Sequence, residues 1–252
     1  MKGMGAGTPL LRLDRLSKRF GMQVAVDSVS LEVAPGQVYG LIGPNGSGKT
    51  TTVKMVTGLY RPTQGRVVIA GHDLLAKAQV AKRLMGYIPD EPFVYEKMSG
   101  REFLHLVGEL YGVPRPERTA RIAELLHLYA LGGIVDGYME NYSRGNKQKL
   151  AVLASLLHSP RLLVVDEPIV GLDPESAIRT RELLKRFAAE GGAVLLCTHT
   201  LAFAEAVCHR VGLLKDGRLI REGDLQALRG EAGLPGASLE ALYLRLTDSR
   251  EP

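Results

Sequence analysis

A chain of 252 residues, 45% of them hydrophobic, is long enough for one large α/β domain or for a core with a smaller subdomain, and its apolar share is ordinary for a protein that buries a sizeable core. The net charge of +5 is a mild excess that suits an anionic ligand or an anionic membrane surface, and Lys and Arg are scattered rather than blocked, which argues against nucleic acid as a partner. The two cysteines, Cys197 and Cys208, lack metal-site spacing and are expected as free thiols in a reducing cytosol; no apolar run reaches the roughly 18–20 residues of a membrane-spanning helix, and residues 1–9, read as a flexible N-terminus, lack the apolar stretch of a signal peptide.

Residues 10–16 and 28–33 alternate apolar and polar positions and predict short strands. Residues 37–42 (QVYGLI) predict a mostly apolar strand running straight into a glycine-rich loop, and residues 50–59 predict a helix ending near Gly58. A further strand is expected at 65–70, closed by Gly71-His72-Asp73. From about 98 to 159 the pattern turns helical: 102–111 and 118–127 are amphipathic, and 147–157 sets Leu150, Leu153, Ala154 and Leu157 on one face. The apolar runs 162–165 (LLVV) and 193–198 (AVLLCT) predict short buried strands. Between them Asp173 supplies an N-cap, Pro174 a first helical residue, and Gly191-Gly192 a stop. Buried strands alternating with helices predict a parallel sheet. Asp216-Gly217 predicts a tight hairpin turn between 211–214 and 218–221, and the tail 230–252 predicts one short helix at 239–246 and little else.

Gly43-Pro44-Asn45-Gly46-Ser47-Gly48-Lys49-Thr50 fits G-x-x-x-x-G-K-[ST] at every fixed position, between a predicted strand and a predicted helix. Glycines let backbone N–H groups turn toward phosphates, Lys49 brings a point charge to the β- and γ-phosphates, and Thr50 offers a hydroxyl to Mg²⁺. Thr51 continues the nucleotide-binding stretch, and the helix aims its positive end at the anion. Asp166-Glu167 end the LLVV strand. A carboxylate at the C-terminal edge of a parallel strand suits Mg²⁺ through its waters, the expected role of Asp166, and the next carboxylate, Glu167, is placed to polarise an attacking water.

The cradle, the segment Tyr142-Ser143-Arg144-Gly145-Asn146 and the acidic pair stand in an order that resembles the ATP-binding subunit of an ABC transporter, over about residues 10–223. Tyr142–Asn146 lies at the position of that family's signature, about twenty residues before the acidic strand. The resemblance implies a P-loop NTPase, RecA-like parallel-sheet core with an antiparallel β subdomain and an α-helical subdomain at about 98–159, within an ATPase domain of residues 10–229 followed by the short tail. Ser143 is a natural N-cap, and its hydroxyl and the N–H of Gly145 would face the γ-phosphate of ATP held by an opposite copy. By the same resemblance Asp173, in Gly171-Leu172-Asp173, crosses the interface, His199 contacts the γ-phosphate, and Phe20 stacks on adenine, for which a π-face suffices. The chain departs from the family pattern at Asp90 and, within the signature, at Tyr142, Arg144 and Asn146. Asp90 stands where a glutamine is usual; it retains the capacity to ligate Mg²⁺ but cannot donate a hydrogen bond when ionised. Arg144 adds a charge to the signature, either to touch the γ-phosphate or to face solvent.

The resemblance implies an ATPase that hydrolyses ATP with Mg²⁺ and pairs with a second cassette, as a homodimer or a heterodimer. It would drive a separate transmembrane permease of the ABC-2 export type docked near residues 90–98, and so reside peripherally on the cytoplasmic face of the membrane. The alternative is a non-transport ABC ATPase acting on ribosomes or DNA, which usually carries two cassettes in one chain or a long coiled coil; one cassette and no sustained heptads weigh against it. The absence of an Asn-Lys-x-Asp motif weighs against a GTPase.

Overall fold

The structure, a computed structural model, describes residues 8–247; most of the expected flexible N-terminus and the end of the tail lie outside them. In chain order the elements are β1 Leu11–Phe20, β2 Gln23–Val33, β3 Val38–Ile42, α1 Lys49–Val56, β4 Gln64–Ile69, β5 His72–Asp73, α2 Ala78–Arg83, β6 Met85–Ile88, α3 Gly100–Leu110, α4 Arg115–Leu126, α5 Arg144–Leu156, β7 Leu162–Asp166, α6 Pro174–Ala189, β8 Ala193–Thr198, α7 Leu201–Val207, β9 Arg210–Lys215, β10 Arg218–Asp224, α8 Leu225–Glu231 and α9 Leu239–Thr247. Strands β2-β1-β4-β5 form an antiparallel sheet. Strands β10-β9-β3-β8-β7-β6 form the central sheet, parallel from β9 to β6 with β10 as an antiparallel edge. The expected α/β class, with a parallel core and an antiparallel sheet, is the one found.

The central strands are parallel because both of their faces are apolar. Every residue of β3, β7 and β8 is buried. Along β3 the side chains alternate: Val38 and Ile42 join a cluster with Leu150 and Leu153 of α5, Leu184 of α6 and Phe203 of α7. Tyr39 and Leu41 join a second cluster with Leu13 and Leu31 of the antiparallel sheet and Val53 and Val56 of α1. The core therefore lies on both sides of the central sheet. Each fully buried Leu or Val contributes about 1.5–3 kcal/mol relative to exposure. That sum fixes where β3, β7 and β8 stop, and so where their C-terminal loops emerge.

Three regions differ from the sequence expectation. β1 and β2 are longer than predicted, because a bulge with Arg15 at φ 45° shifts the register of β1 between Leu13 and Leu16 and breaks the alternation. α2 and β6 were not predicted: MGYI is short and carries a glycine, and it becomes a strand by pairing in parallel with β7. The tail helix stands where expected, as α9, but it follows an unpredicted α8 and is docked on the body. Leu239 and Leu242 of α9 are fully buried, and Glu205 of α7 accepts from Arg229 of α8 at 2.5 Å and from the N–H of Leu239 at 3.1 Å. The helical stretch opens on a reciprocal cap, in which the N–H of Glu102 donates to Ser99 Oγ at 3.2 Å and the N–H of Ser99 to Glu102 Oε2 at 2.8 Å.

Candidate functional site

β3, β7 and β8 are adjacent, and the loops at their C-terminal ends meet in a groove of about 750 Å³. Its lining joins Asn45, Gly46 and residues 48–51 of the glycine-rich segment to Phe20, Asp90, Arg144, Glu167 and His199. The loop after β3 needs glycine at position 48. Gly48 has φ 104°, and a Cβ there would stand 2.5 Å from the carbonyl oxygen of Ala25. The loop is also braced from the β9–β10 turn, where the N–H of Gly217 donates to the carbonyl of Ser47 at 3.0 Å.

Lys49, the first residue of α1, is buried, and its Nζ donates to the carbonyls of Gly43 at 2.7 Å and Pro44 at 3.0 Å. Burial lowers its pKa, opposed by Glu167, Cys197 and Asp166. A cation in this state, held by neutral oxygens only, suits a polyanion. Thr50, next in α1, is exposed, whereas Ser47 Oγ is buried without a hydrogen-bond partner.

Asp166 ends β7 and is buried. Its carboxyl is pushed up to about 6, chiefly by burial, then by Glu167 and Asp90, with Lys49 and Lys54 opposing. Its Oδ1 has no hydrogen-bond partner. Glu167 follows with φ 47°, a left-handed conformation rare for a side-chain-bearing residue. Three donors hold its carboxylate. Thr198 Oγ1 donates to Oε2 at 2.8 Å, the N–H of His199 donates to Oε1 at 2.8 Å, and His199 Nδ1 lies 2.6 Å from Oε1. His199 thus sits against Glu167, with its ring about half exposed. Sequence reasoning missed Thr198, which is 31 residues from Glu167 and carries no local signal.

Asp90 lies just past β6, where its Oδ1 is 3.5 Å from Arg144 Nη2. Burial raises its pKa, with Arg144 opposing and Glu167 adding to the rise. Phe20, at the end of β1, is 45% exposed and meets the ring of Tyr60 edge-on at 5.5 Å, with Lys18 Nζ 5.0 Å from its centroid.

Ser143, Gly145 and Asp173 do not line this groove. Ser143 caps α5 by accepting from the N–H of Asn146 at 3.2 Å. A Cβ on Gly145 would stand 2.6 Å from the carbonyl oxygen of Gly171. Tyr142 is buried, and its hydroxyl donates to the carbonyl of Ile134 at 2.8 Å, which anchors the segment before Ser143. Asp173 caps α6 through the N–H of Ser176 at 2.8 Å and pairs with Lys149 at 2.8 Å. The Lys149 contact, followed by the bonds from Ser176, holds its carboxyl well below the usual range.

Comparison with known proteins points one way. A family model described as ABC transporter matches residues 26–170. The Nod factor export ATP-binding protein I of Paraburkholderia xenovorans (strain LB400) is 34% identical over 218 residues, 86% of this chain and 72% of that protein. A daunorubicin resistance ATP-binding protein of Streptomyces coeruleorubidus is 34% identical over 223 residues, 88% of this chain and 71% of that one. A solved structure described as the ATP binding subunit of an ABC transporter is 36% identical and matches with a TM-score of 0.90, covering 95% of this chain and 100% of that chain.

Proposed function

The chain belongs to the ABC transporter family, and on that premise we propose that it is a transport motor in which two copies close head to tail on two ATP molecules and drive a separate membrane permease. It is an ATP-binding and ATP-hydrolysing subunit. Export is the direction carried by the name of its Nod factor relative. The observation that carries the reading is the convergence of the cradle, Asp166 and Glu167 at the C-terminal edge of β3, β7 and β8.

In this reading backbone N–H groups of residues 43–48 and the start of α1 receive the phosphates. Lys49 exchanges two carbonyls for phosphate oxygens, a gain in charge-assisted hydrogen bonding. Phe20 offers a half-exposed ring to adenine. The donors on Glu167 leave one acceptor direction on Oε2, which orients the attacking water and takes its proton. His199 and Thr198 fix that carboxylate, and His199 contacts the γ-phosphate. Loss of the γ-phosphate removes the bridge between the copies and lets them part.

The donors suit a hard divalent cation. Asp166 has a buried oxygen without a partner, Thr50 is exposed at the start of α1, and Asp90 opens on the same groove. Among the described residues no group of three or more His, Cys, Asp or Glu could hold a metal. Mg²⁺ here would draw most of its ligands from water and ATP, and it would supply neutralisation of phosphate charge.

Ser143 and Gly145 complete the site of the opposite copy, and Asp173 stands at the interface. Among the described residues no helix is long and apolar enough to cross a membrane, and Phe93 and Tyr95 are 76% and 50% exposed beside Asp90. The exposed aromatic pair supports a permease docked near residues 90–98, and on that reading the chain lies on the cytoplasmic face of the membrane. Light scattering of a Glu167→Gln variant is expected to give a dimer in ATP and a monomer in ADP; a monomer in both would defeat the paired-copy reading. Co-purification with a multi-span protein from detergent-solubilised membranes tests the permease.

A further inference from the structure

We propose that Arg144 is a phosphate-binding residue held in reserve by Asp90: its guanidinium exchanges the Asp90 carboxylate for the γ-phosphate of ATP brought by a second copy. The proposal rests on the paired-copy reading above and extends it to a residue that reading leaves without a task.

Two of the positions where this chain departs from the family pattern, Asp90 and Arg144, touch each other. They are 54 residues apart in sequence, yet Arg144 Nη2 lies 3.5 Å from Asp90 Oδ1. The contact is made for exchange. Both side chains are about half exposed, and a long, single-point ion pair at a solvated surface contributes little. Arg144 is the first residue of α5, a helix of 13 residues, directly after Ser143. A phosphate arriving at Ser143 and the Gly145 N–H would meet the positive end of α5 and a guanidinium in reach. It offers more charge and more acceptor oxygens than one carboxylate, so it wins the competition. The stem of Arg144 is already positioned: it lies over Gly171, where a Cβ would come within 3.2 Å of it.

The exchange also has a consequence for Asp90. Arg144 Nη2 is the cation that lies against its carboxylate. Once Arg144 leaves, that carboxylate loses its ion-pair partner and faces its own groove. Occupancy of one copy's γ-phosphate position thereby changes the charge in the other copy's groove, and linkage makes that coupling reciprocal.

The test uses Glu167→Gln as the parent, so that ATP is not consumed, and measures the ATP concentration for half-maximal dimerisation. Arg144→Ala is expected to raise it by about tenfold or more, the loss of a hydrogen bond to a charged group. Arg144→Lys retains part of the effect. The swap of Asp90→Arg with Arg144→Asp rebuilds the ion pair in reverse and is expected to be at least as impaired as Arg144→Ala, because a carboxylate then faces the phosphate. Dimerisation of Arg144→Ala at the parent's ATP concentration, or rescue by the swap, overturns the proposal and leaves the pair a structural contact. A parent that stays monomeric in ATP instead defeats the paired-copy reading itself. Melting curves of each variant check that it is folded.

Discussion

The groove at the C-terminal edge of the central sheet and the N-terminal ends of α5 and α6 supply the two halves of the proposed ATP site, and they are built in opposite ways. At the groove Lys49, Glu167 and the adjoining Asp166 are buried and in conflict. Lys49 has only carbonyl partners, Asp166 has a bare oxygen, and Glu167 is held in a left-handed conformation. At the helix ends the polar groups are exposed and locally content: Ser143 and Asp173 each cap their own helix, and Asp173 adds an ion pair. The first half stores tension that a ligand relieves, whereas the second is a rigid surface that loses nothing by waiting for a partner.

Substitutions should separate these two kinds of construction. The largest effect is expected at Glu167. Glu167→Gln keeps the shape and the Thr198 contact but removes the proton acceptor, so ATP turnover should fall by about 10²–10⁴-fold. A steady-state phosphate-release assay reads this, and near-normal turnover would remove Glu167 from the chemistry. Next is Lys49→Ala, which should weaken binding of a fluorescent ATP analogue by about 10–100-fold, the loss of charge-assisted bonds to phosphate.

Asp166 gives a stability signature of the opposite sign to an ordinary ion pair. Its folded carboxyl, near 6, binds a proton more tightly than in the unfolded chain, near 3.8. Between those values the native state holds more protons, so its contribution to stability falls as pH rises and stays reduced above the window. Asp166→Asn should therefore raise the melting temperature of nucleotide-free, EDTA-treated protein at pH 7.5, by about 1–3 kcal/mol of stability. The gain should vanish toward pH 4; calorimetry showing no gain at neutral pH would contradict the buried-charge account. The smallest effect belongs to the other half: Ser143→Ala should cost about 0.5–1 kcal/mol and Ser143→Gly only about a few tenths, by chemical denaturation.

Legibility in the sequence followed the same divide between local and distant. The cradle was readable because glycine, lysine and threonine act through their own backbone and their place between a strand and a helix. Ser143 and Asp173 were readable as caps, since a cap is satisfied within three residues. The grip of Thr198 on Glu167, the Asp90–Arg144 pair and the docking of α9 on α7 were not. Each joins positions whose proximity is decided by sheet order and core packing, and none leaves a periodic trace. β6 stayed hidden because four residues with a glycine acquire strand character from β7 alone.

The turn between β9 and β10 is a two-residue surface hairpin of the kind that usually accepts a peptide tag or a fused domain. Here it is a keystone. Gly217 donates to Ser47 and accepts from the N–H of Asp27 at 2.8 Å, so the turn, the cradle and the antiparallel sheet share one joint. An insertion at Asp216-Gly217 should silence nucleotide binding while leaving most of the fold intact. The exposed bend at Gly112, where an added Cβ meets nothing within 4 Å, is the place to graft a reporter.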